Sequence, residues 1–312
     1  MVSVLKMSYK CKECGAEFET EKGLHVHLRT HKMYMADYYV KHYPRYNKLN
    51  NTLLPFKNKE DYFNNDFFNR KQLVKWWETA PQEEVKDYII KLAKRRIDKK
   101  KYKNAPFYIE LLKRQLPDLD IYKKHFGTYT EACKAMGKEP IFYKGMPKEF
   151  NNNFDVEVLI DTREQMPLNF KKSSILKLDF GDYTLSGDNF TNTFVDRKSA
   201  GDFLSTFGAQ ADRFRKEMKR CVELNSYMYI VIEKSIKSIE NEAFYLKGKK
   251  ISTKLKWVFS NLISIQHEFA GHCQFVFTNS RKHSEKIIPK LLYLGKKLWN
   301  VDVQYFLDKE EI

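Results

Sequence analysis

A short Cys/His spacing near the start of the chain is the feature that most constrains its fold. Cys11 and Cys14 are separated by two residues, and His27 and His31 follow with three residues between them. Two thiolates on a turn and two imidazoles one helical turn apart can meet at one tetrahedral Zn²⁺. Because so short a segment cannot bury enough surface to fold alone, metal binding and folding should be one event. The sequence therefore predicts a structural zinc site at these four residues.

The same segment resembles the two-Cys, two-His zinc fingers, with Phe18 and Leu24 at the core positions of a small ββα unit. At the positions from which such fingers contact bases, this sequence has Thr20, Gly23 and Val26. None of them offers the guanidinium or amide group of a bidentate base contact. We therefore expect residues 1–33 to form an accessory DNA anchor. A protein-binding or purely structural finger is the alternative.

The chain as a whole is strongly basic. Its 312 residues include 56 Lys and Arg against 40 Asp and Glu, a formal net charge of +16. The excess is concentrated in residues 1–150, which hold 31 basic and 19 acidic residues, whereas the remainder holds 25 and 21. Such an excess favours a polyanionic partner, and we expect duplex DNA.

The composition is that of a folded protein outside the secretory route. Hydrophobic residues make up 42% of the chain, and Gly and Pro number only 12 and 9, which excludes a disordered or collagen-like chain. No apolar run approaches the ~18 residues of a membrane helix, and the first residues lack the apolar stretch of a signal peptide. We expect a cytoplasmic protein of a bacterial or phage-infected cell, or a nuclear one, without a membrane partner. The scattered Cys133, Cys221 and Cys273 are predicted to be ordinary buried thiols.

Residues 34–104 are predicted to be an irregular connector followed by a basic helical region. Apolar spacing becomes helical from Arg70, and Pro81 marks the start of a second helix. That helix ends in a dense basic run, whose predicted DNA contacts are Lys94, Arg95, Arg96, Lys99, Lys100 and Lys101. A solvated helix face without phosphate contacts is the alternative.

Residues 105–140 are predicted to form three short helices separated by Pro117 and Gly127. Thr128 and Glu131 have the spacing of a capping box at the start of the third helix. The block resembles the short repeat found beside phage and intron homing endonucleases, in which a basic helix ends in Phe-Gly. That resemblance implies a helix-turn-helix-like repeat with DNA contacts at Lys123, Lys124 and His125. A plain packing bundle is the alternative.

From residue 150 to residue 312, strand-like apolar runs alternate with helical segments. This alternation predicts an α/β domain with a central sheet covered by helices. Asp161, Asp182 and Asp196 lie at strand ends, where neighbouring strands could bring them together. Carboxylates with water are the ligands that Mg²⁺ or Mn²⁺ prefers, so a metal site is predicted here.

Lys198 lies two residues after Asp196 and should project from the same face of its strand. Its ammonium group could lower the pKa of a metal-bound water, stabilise charge that develops on a phosphate, or both. These are the requirements of metal-assisted phosphodiester hydrolysis.

The motifs Asp-x-Arg-Glu, Gly-Asp-Tyr and Asp-Arg-Lys-Ser, with Asp202 after three intervening residues, resemble the nuclease domain of the XPF/Hef family. That family's core is written GD-x(n)-ERK-x3-D, a variant of the PD-(D/E)xK theme. The resemblance runs from about residue 155 to about residue 300 and implies a restriction-endonuclease-like mixed sheet flanked by helices. It implies that Asp182 and Asp196 bind the metal with help from Asp161, and that Lys198 serves the attacking water. The supporting residues it implies are Arg163, Glu164, Arg197, Asp202 and Arg213. For Arg213 a surface salt bridge is the alternative to a phosphate contact.

Two departures from the family matter. Asp196 stands where the family has Glu; since Asp is also a hard oxygen ligand, we expect activity to survive. Nothing after residue 300 resembles the tandem helix-hairpin-helix motifs that family members usually carry, and the DNA-gripping features lie upstream instead.

Together these features predict a metal-dependent DNA endonuclease of the freestanding homing type, which binds duplex DNA through residues 1–145 and cuts it with residues 150–312. A structure-specific nuclease for forks, flaps or recombination junctions is the first alternative, and a DNA-binding regulator with an inactive nuclease fold is the second. One nuclease centre cuts one strand at a time, so a double-strand break would need a homodimer or successive nicks.

Overall fold

The computed structural model describes residues 8–44, 79–114, 116–241, 245–246, 249–250 and 254–309. The chain folds as two compact units, Met1–Tyr88 and Ile89–Ile312. The apolar cluster predicted around Trp76 and Trp77 lies outside the described residues. Within the described residues, no helix has the length and apolar character needed to cross a membrane.

The first unit begins as a small ββα fold. Its elements are β1 (Tyr9–Lys10), β2 (Glu17–Phe18), α1 (Glu21–His27), a 3₁₀ turn (Leu28–His31) and α2 (Met35–His42). The two strands pair antiparallel, and Gly15 turns the chain between them with a φ of 81°. Thr20 begins α1, since its hydroxyl accepts a hydrogen bond from the Gly23 amide at 3.1 Å.

Helix α2 packs against the ββα fold and completes its core. Tyr38 is fully buried beside Cys11, Leu24 and Leu28. The Tyr38 hydroxyl also accepts a hydrogen bond from the Lys12 amide at 2.9 Å. The finger therefore continues beyond residue 33, because the small ββα core draws on an aromatic side chain from the next helix.

The second unit contains four helices before its sheet. They are α3 (Gln82–Lys100), whose first turns belong to the first unit, α4 (Tyr108–Lys113), α5 (Leu119–Phe126) and α6 (Tyr129–Met136). Thr128 begins α6 by accepting a hydrogen bond from the Glu131 amide, and Gly137, with a φ of 69°, ends it.

These helices pack onto the rest of the unit. Phe107, Ile109 and Ile141 belong to the same apolar cluster as one face of the sheet. Glu110, which is fully buried, binds Arg96 at 2.9 Å and His267 at 2.6 Å. Residues 89–140 and the sheet therefore share one core.

The sheet has six strands, in the order β10, β7, β6, β5, β3, β4. The strands are β3 (Val158–Asp161), β4 (Ser173–Leu176), β5 (Tyr183–Leu185), β6 (Thr193–Lys198), β7 (Tyr227–Ile232) and β10 (Cys273–Phe277), and a separate hairpin holds β8 (Tyr245–Leu246) and β9 (Lys249–Lys250). Strand β5 runs antiparallel to β3 and β6, whereas the pairs β3–β4, β6–β7 and β7–β10 are parallel. The sheet is therefore mixed.

Helices cover both faces of the sheet. They are α7 (Ala200–Gly208), α8 (Ala211–Glu223), α9 (Ile236–Asn241), α10 (Leu255–Glu268), α11 (Arg281–Leu294) and α12 (Val303–Asp308). One apolar cluster joins α7, α8 and α10 to a face of the sheet, and a second joins α11 to the other face. All six residues of β7 are buried between these layers, as expected for a central parallel strand.

The three scattered cysteines are buried, unpaired thiols, as predicted. Burial raises the pKa of Cys133 and of Cys221 to about 12. Such thiols stay protonated, so their role is packing.

Candidate active site

The antiparallel pairing of β5 with β6 brings two carboxylates together. Tyr183 pairs in register with Val195, and the Asp182 carboxylate accepts a hydrogen bond from the Arg197 amide at 2.7 Å, which places it next to Asp196. The Asp182 amide donates to the Val195 carbonyl at 2.7 Å, which fixes this corner of the sheet. The predicted convergence of these two residues is thus present in the structure.

Gly181 makes the close approach of the two strands possible. It adopts a φ of +70°, and a Cβ at this position would lie 3.0 Å from the Val195 carbonyl oxygen. Any larger residue would strain the backbone and push the strands apart. This explains why Gly precedes Asp182 in the motif.

Alternation along β6 separates two polar groups onto opposite faces of the sheet. Asp196 and Lys198 project on the same side as Phe194, which packs in the cluster of α7, α8 and α10. Arg197 projects on the other side, as does Val195, which packs with α11. Asp196 and Lys198 belong to the candidate active site, whereas Arg197 lies on the opposite face of the sheet.

Asp196 carries an unsatisfied carboxylate oxygen. The residue is 5% exposed; its Oδ1 accepts a hydrogen bond from Lys198 Nζ at 2.6 Å, while Oδ2 is buried without a hydrogen-bond partner. A buried carboxylate oxygen without a partner is costly and calls for a cation or a bound water.

Asp182 and Lys198 are electrostatically coupled to Asp196. Burial and the adjacent Asp196 charge raise the pKa of Asp182 to about 8. Burial alone would lower the pKa of Lys198, but the charges of Asp196 and Asp182 outweigh it and raise that pKa. Lys198 is therefore an ammonium ion at neutral pH. The Asp182 Oδ2 atom is held by the Arg197 amide at 2.7 Å.

Glu217 on α8 interacts electrostatically with Asp196, and it was not among the predicted site residues. Burial and the charge of Asp196 raise its pKa, while the ammonium of Lys198 and the Gly181 amide oppose that rise. Arg213 was the only residue of α8 predicted to support the site. Glu217 lies one helical turn after Arg213 and next to the buried Met218, and this position is the sequence signal that could have identified it.

Asp161 is buried at the end of β3, with both oxygens already engaged. Oδ1 accepts from the amide and Nε of Arg163 at 2.8 and 2.6 Å, and Oδ2 accepts from Arg163 Nη2 at 3.1 Å and the Leu178 amide at 2.6 Å. These bonds lower its pKa against the opposing effect of burial. The Asp161 amide donates to the Asp182 carbonyl at 2.9 Å. Asp161 thus organises the turn beside the site, and its catalytic role stays a prediction.

Arg197 joins three strand ends on the opposite face. Its guanidinium binds Glu164 at 3.0 Å and Glu233 at 3.0 Å, and all three side chains are at most 11% exposed. Arg281 adds a contact to Glu233 at 3.3 Å and donates to two carbonyls in the loop after β3, those of Met166 and Pro167. Glu233 and Arg281 were not among the predicted site residues. Glu233 directly follows β7, so the strand-end rule that selected Asp161 would have found it.

Two predicted supporting residues lie outside both groups. Asp202 is exposed and pairs with Ser199 in the capping of α7: the Ser199 hydroxyl accepts from the Asp202 amide at 3.1 Å and donates to its Oδ2 at 2.6 Å. Arg213 is exposed on α8 and has no ion-pair partner among the described residues. The salt bridges on this helix are made by Arg215, with Asp212 at 3.1 Å and Glu268 at 2.8 Å.

The residues present fit a hard divalent cation. Asp182 and Asp196 offer carboxylate oxygens, one of them buried and unpaired, and burial together with the adjacent Asp196 charge raises the pKa of Asp182. Mg²⁺ and Mn²⁺ accept such ligands and complete their coordination with water.

The Cys/His set converges in the finger. The Sγ and Nε2 atoms of Cys11, Cys14, His27 and His31 all lie within 4.8 Å of one another, the only such group of three or more among the described residues. Cys14 Sγ lies 3.2 Å from His27 Nε2, and Cys11 Sγ lies 3.7 Å from His31 Nε2. Ligands of a tetrahedral zinc ion are separated by about 3.5 Å, so the set fits Zn²⁺.

The residues predicted to contact DNA differ in how exposed their side chains are. Those with exposed side chains are Lys94, Arg95, Lys99, Lys100, Lys101 and Lys124. The other three predicted contacts are less exposed, and their DNA contacts stay predictions. Arg96 is turned inward by its ion pair with the buried Glu110, Lys123 donates to the Tyr305 hydroxyl at 2.8 Å, and His125 is 8% exposed. The basic groups of Arg96 and His125 face the core because α3 and α5 are amphipathic helices with one side packed on it.

Comparison with known proteins locates the nuclease resemblance on this sheet. Residues 160–291 match the ERCC4 domain. The ERCC4 match covers less than half of the 312-residue chain and extends from β3 into α11, so it includes the whole carboxylate site. The predicted fold class, a mixed sheet flanked by helices and preceded by a small finger, is confirmed.

Solved structures give the same kind of match. XPF from Aeropyrum pernix in complex with DNA matches with a TM-score of 0.33 and 19% identity, over 46% of this chain and 66% of that one. XPF from Aeropyrum pernix matches with a TM-score of 0.34 and 17% identity, over 44% and 60%. The chain thus spans less than two thirds of the length of either XPF chain. No curated protein matches it. The resemblance of residues 105–140 to a homing-endonuclease repeat stays a prediction.

Proposed function

We propose that this protein is a metal-dependent DNA endonuclease that hydrolyses phosphodiester bonds. The observation that carries the proposal is the group formed by Asp182, Asp196 and Lys198, in which a buried carboxylate oxygen lacks a partner. The ERCC4-domain match, which contains all three residues, supports the same activity. The net charge of +16 supports DNA as the substrate.

Asp182 and Asp196 would hold the cation, with Glu217 beside them. Bound Mg²⁺ or Mn²⁺ would supply Lewis-acid polarisation of the scissile phosphate and a lowered pKa for the attacking water. In the hydrolysis, a P–O bond to the water oxygen forms and the P–O bond to the leaving sugar oxygen breaks; the water releases its proton to solvent, and the leaving oxygen takes up a proton from solvent.

Lys198 contributes as a cation. In the metal-free protein, the charges of Asp196 and Asp182 raise its pKa and keep it protonated. Its ammonium group, fixed by Asp196 at 2.6 Å, can orient the water and stabilise the negative charge that develops on the phosphate. The Arg197 amide holds the Asp182 carboxylate in one orientation while its side chain secures the strand ends.

We further propose that the enzyme acts on duplex DNA at a sequence-directed site. The exposed basic run of α3 and the finger lie upstream of the carboxylate site and supply charge for duplex binding. A structure-specific nuclease is the second candidate, and the ERCC4-domain match favours it. We also propose that the finger binds a structural Zn²⁺ ion. For double-strand cleavage we propose a homodimer, which supplies one nuclease site for each strand.

The test is cleavage of an intact randomised duplex library with a forked duplex as internal competitor, in a Zn²⁺-replete buffer containing Mg²⁺, with every new end sequenced. Ends clustered at one motif in linear duplex support the sequence-directed nuclease. Ends confined to the fork support the structure-specific one. If the wild type cuts no more than Asp182→Ala does, the protein is a DNA-binding regulator and the proposal is wrong.

A further inference from the structure

A cavity of about 210 Å³ lies among the segment before α4, the helices α5, α6 and α12, and the segment after α6. None of the carboxylate-site residues lines it. Its walls include the rings of Tyr129, Phe142, Tyr143 and Phe306. Cavities that hold drug-sized ligands usually measure ~300–1,000 Å³, so this one suits a smaller, planar ligand. We call it the aromatic pocket.

Two ammonium groups accompany the rings. Lys123 and Lys144 both line the aromatic pocket. Lys123 Nζ is held 2.8 Å from the Tyr305 hydroxyl and 4.1 Å from the centroid of that ring, whereas Lys144 is exposed. Aromatic walls next to cations are the chemistry that recognises a base attached to a phosphate backbone.

Tyr143 lines the aromatic pocket, and its backbone is held by a hydrogen bond. Its side chain is 57% exposed, so the ring adds little to the folded core. Its amide donates to the Asn300 carbonyl at 2.9 Å, and the Lys144 amide donates to the same carbonyl at 2.9 Å. The hydrogen-bonded backbone thus holds the exposed Tyr143 ring next to Lys144, an arrangement that favours stacking of the ring on an aromatic ligand.

The surrounding chain is charged to match a nucleic acid. Residues 89–148, which supply most of the lining, contain sixteen Lys and Arg against six Asp and Glu. This excess would hold the phosphates on either side of a base that enters the aromatic pocket.

We infer that the aromatic pocket receives one unpaired nucleobase of DNA, stacked on Tyr143, with Lys123 and Lys144 close to the flanking phosphates. The inference rests on the proposed function in taking DNA as the partner. It deepens that function, because a pocket for a single base would let the enzyme engage DNA that is locally opened or single-stranded.

The experiment measures binding by the full chain carrying Asp182→Ala, without Mg²⁺, so that it does not depend on cleavage. The probes are a labelled oligodeoxyadenylate of about twelve nucleotides and an abasic oligomer of equal length and charge. We expect the oligodeoxyadenylate to bind more tightly. Adding Tyr143→Ala should weaken its binding about tenfold and leave the abasic oligomer unaffected, since base stacking is lost.

Two further variants serve as controls. Tyr143→Phe keeps the ring and should retain the preference, and Trp257→Ala removes a 58% exposed aromatic that does not line the aromatic pocket. Equal affinity for the two oligomers, no binding of either, or a Tyr143→Ala effect of the same size on both would overturn the inference. Because no cutting is involved, an inactive nuclease site would leave this result unchanged.

Discussion

Lys198 Nζ lies 2.6 Å from one oxygen of Asp196, and the other oxygen of the same carboxylate is buried without a hydrogen bond. One oxygen of this carboxylate is therefore paired with an ammonium group, whereas the other has the chemistry of a ligand for a metal cation. Next to it lies Asp182, whose pKa is raised by burial and by the negative charge of Asp196. A divalent cation bound by both residues would pair with the buried Asp196 oxygen and would offset the repulsion between the two negative charges.

Replacing Lys198 with Ala should lower the rate of DNA cleavage at least about a hundredfold, because the charge that stabilises the reacting phosphate is lost. Affinity for DNA should change by no more than about threefold, since one phosphate contact among many is removed. Cleavage rate and equilibrium binding are measured on the same duplex. Lys177→Ala, which removes an exposed lysine, is the matched control. A collapse of affinity in Lys198→Ala would show that the residue serves binding and not catalysis.

Asp182 should make the metal-free protein less stable as pH rises. Its pKa is raised from 3.8 to about 8, so between these values the folded state holds a proton that the unfolded chain releases. This contribution is fully present below about pH 4 and is lost as pH rises toward about 8. Asp182→Asn should remove that part of the pH dependence and melt at a higher temperature than the wild type near pH 8. Melting temperatures in Mg²⁺-free buffer at several pH values measure it. The exposed Asp188→Asn should follow the wild type, and identical curves for all three proteins would contradict the assignment.

Arg197→Ala should lower the free energy of unfolding by about 3 kcal/mol, because it leaves Glu164 and Glu233 buried without their partner. Arg281→Ala removes a 38% exposed side chain from the same network and should cost much less. Urea denaturation of the two variants gives the comparison. Similar losses for both would mean that Arg197 does not anchor the strand ends.

The sequence was informative where chemistry follows from local spacing. The Cys/His spacing predicted a set of ligands that does converge, and the strand-end positions of Asp182 and Asp196 predicted a pair that the β5–β6 register brings together. Both depend on geometry that a few residues along the chain determine.

The sequence could not show which side of each basic helix meets the core. Arg96 and Lys123 belong to dense basic runs, yet their partners Glu110 and Tyr305 come from elsewhere in the chain. The same reason explains the omission of Glu217, whose place beside Asp196 depends on how α8 packs against β6. Long-range packing of this kind leaves no local spacing signal.

Removing a zinc ligand should unfold the finger without unfolding the second unit. Cys14→Ser is expected to abolish stoichiometric zinc binding, because metal and fold are coupled in so small a core. The cooperative melting transition of residues 89–312 should remain, since none of the finger's ligands belongs to that unit. Metal analysis and calorimetry of the full chain measure the two effects. Full zinc retention in Cys14→Ser would contradict the assigned ligand set.

The basic end of α3 should show two different responses to mutation. Replacing the exposed Lys99, Lys100 and Lys101 together with Ala should reduce the slope of log affinity against log salt by up to about 2.7, since each phosphate contact releases a counterion. Arg96→Ala should barely change that slope but should destabilise the protein, because the buried Glu110 loses one of its two partners. Salt titrations of duplex binding and urea denaturation of both variants separate the effects. If the triple variant kept the wild-type slope, these lysines would belong to a solvated helix face. If Arg96→Ala lowered the slope and left stability intact, its inward ion pair would not represent its role in solution.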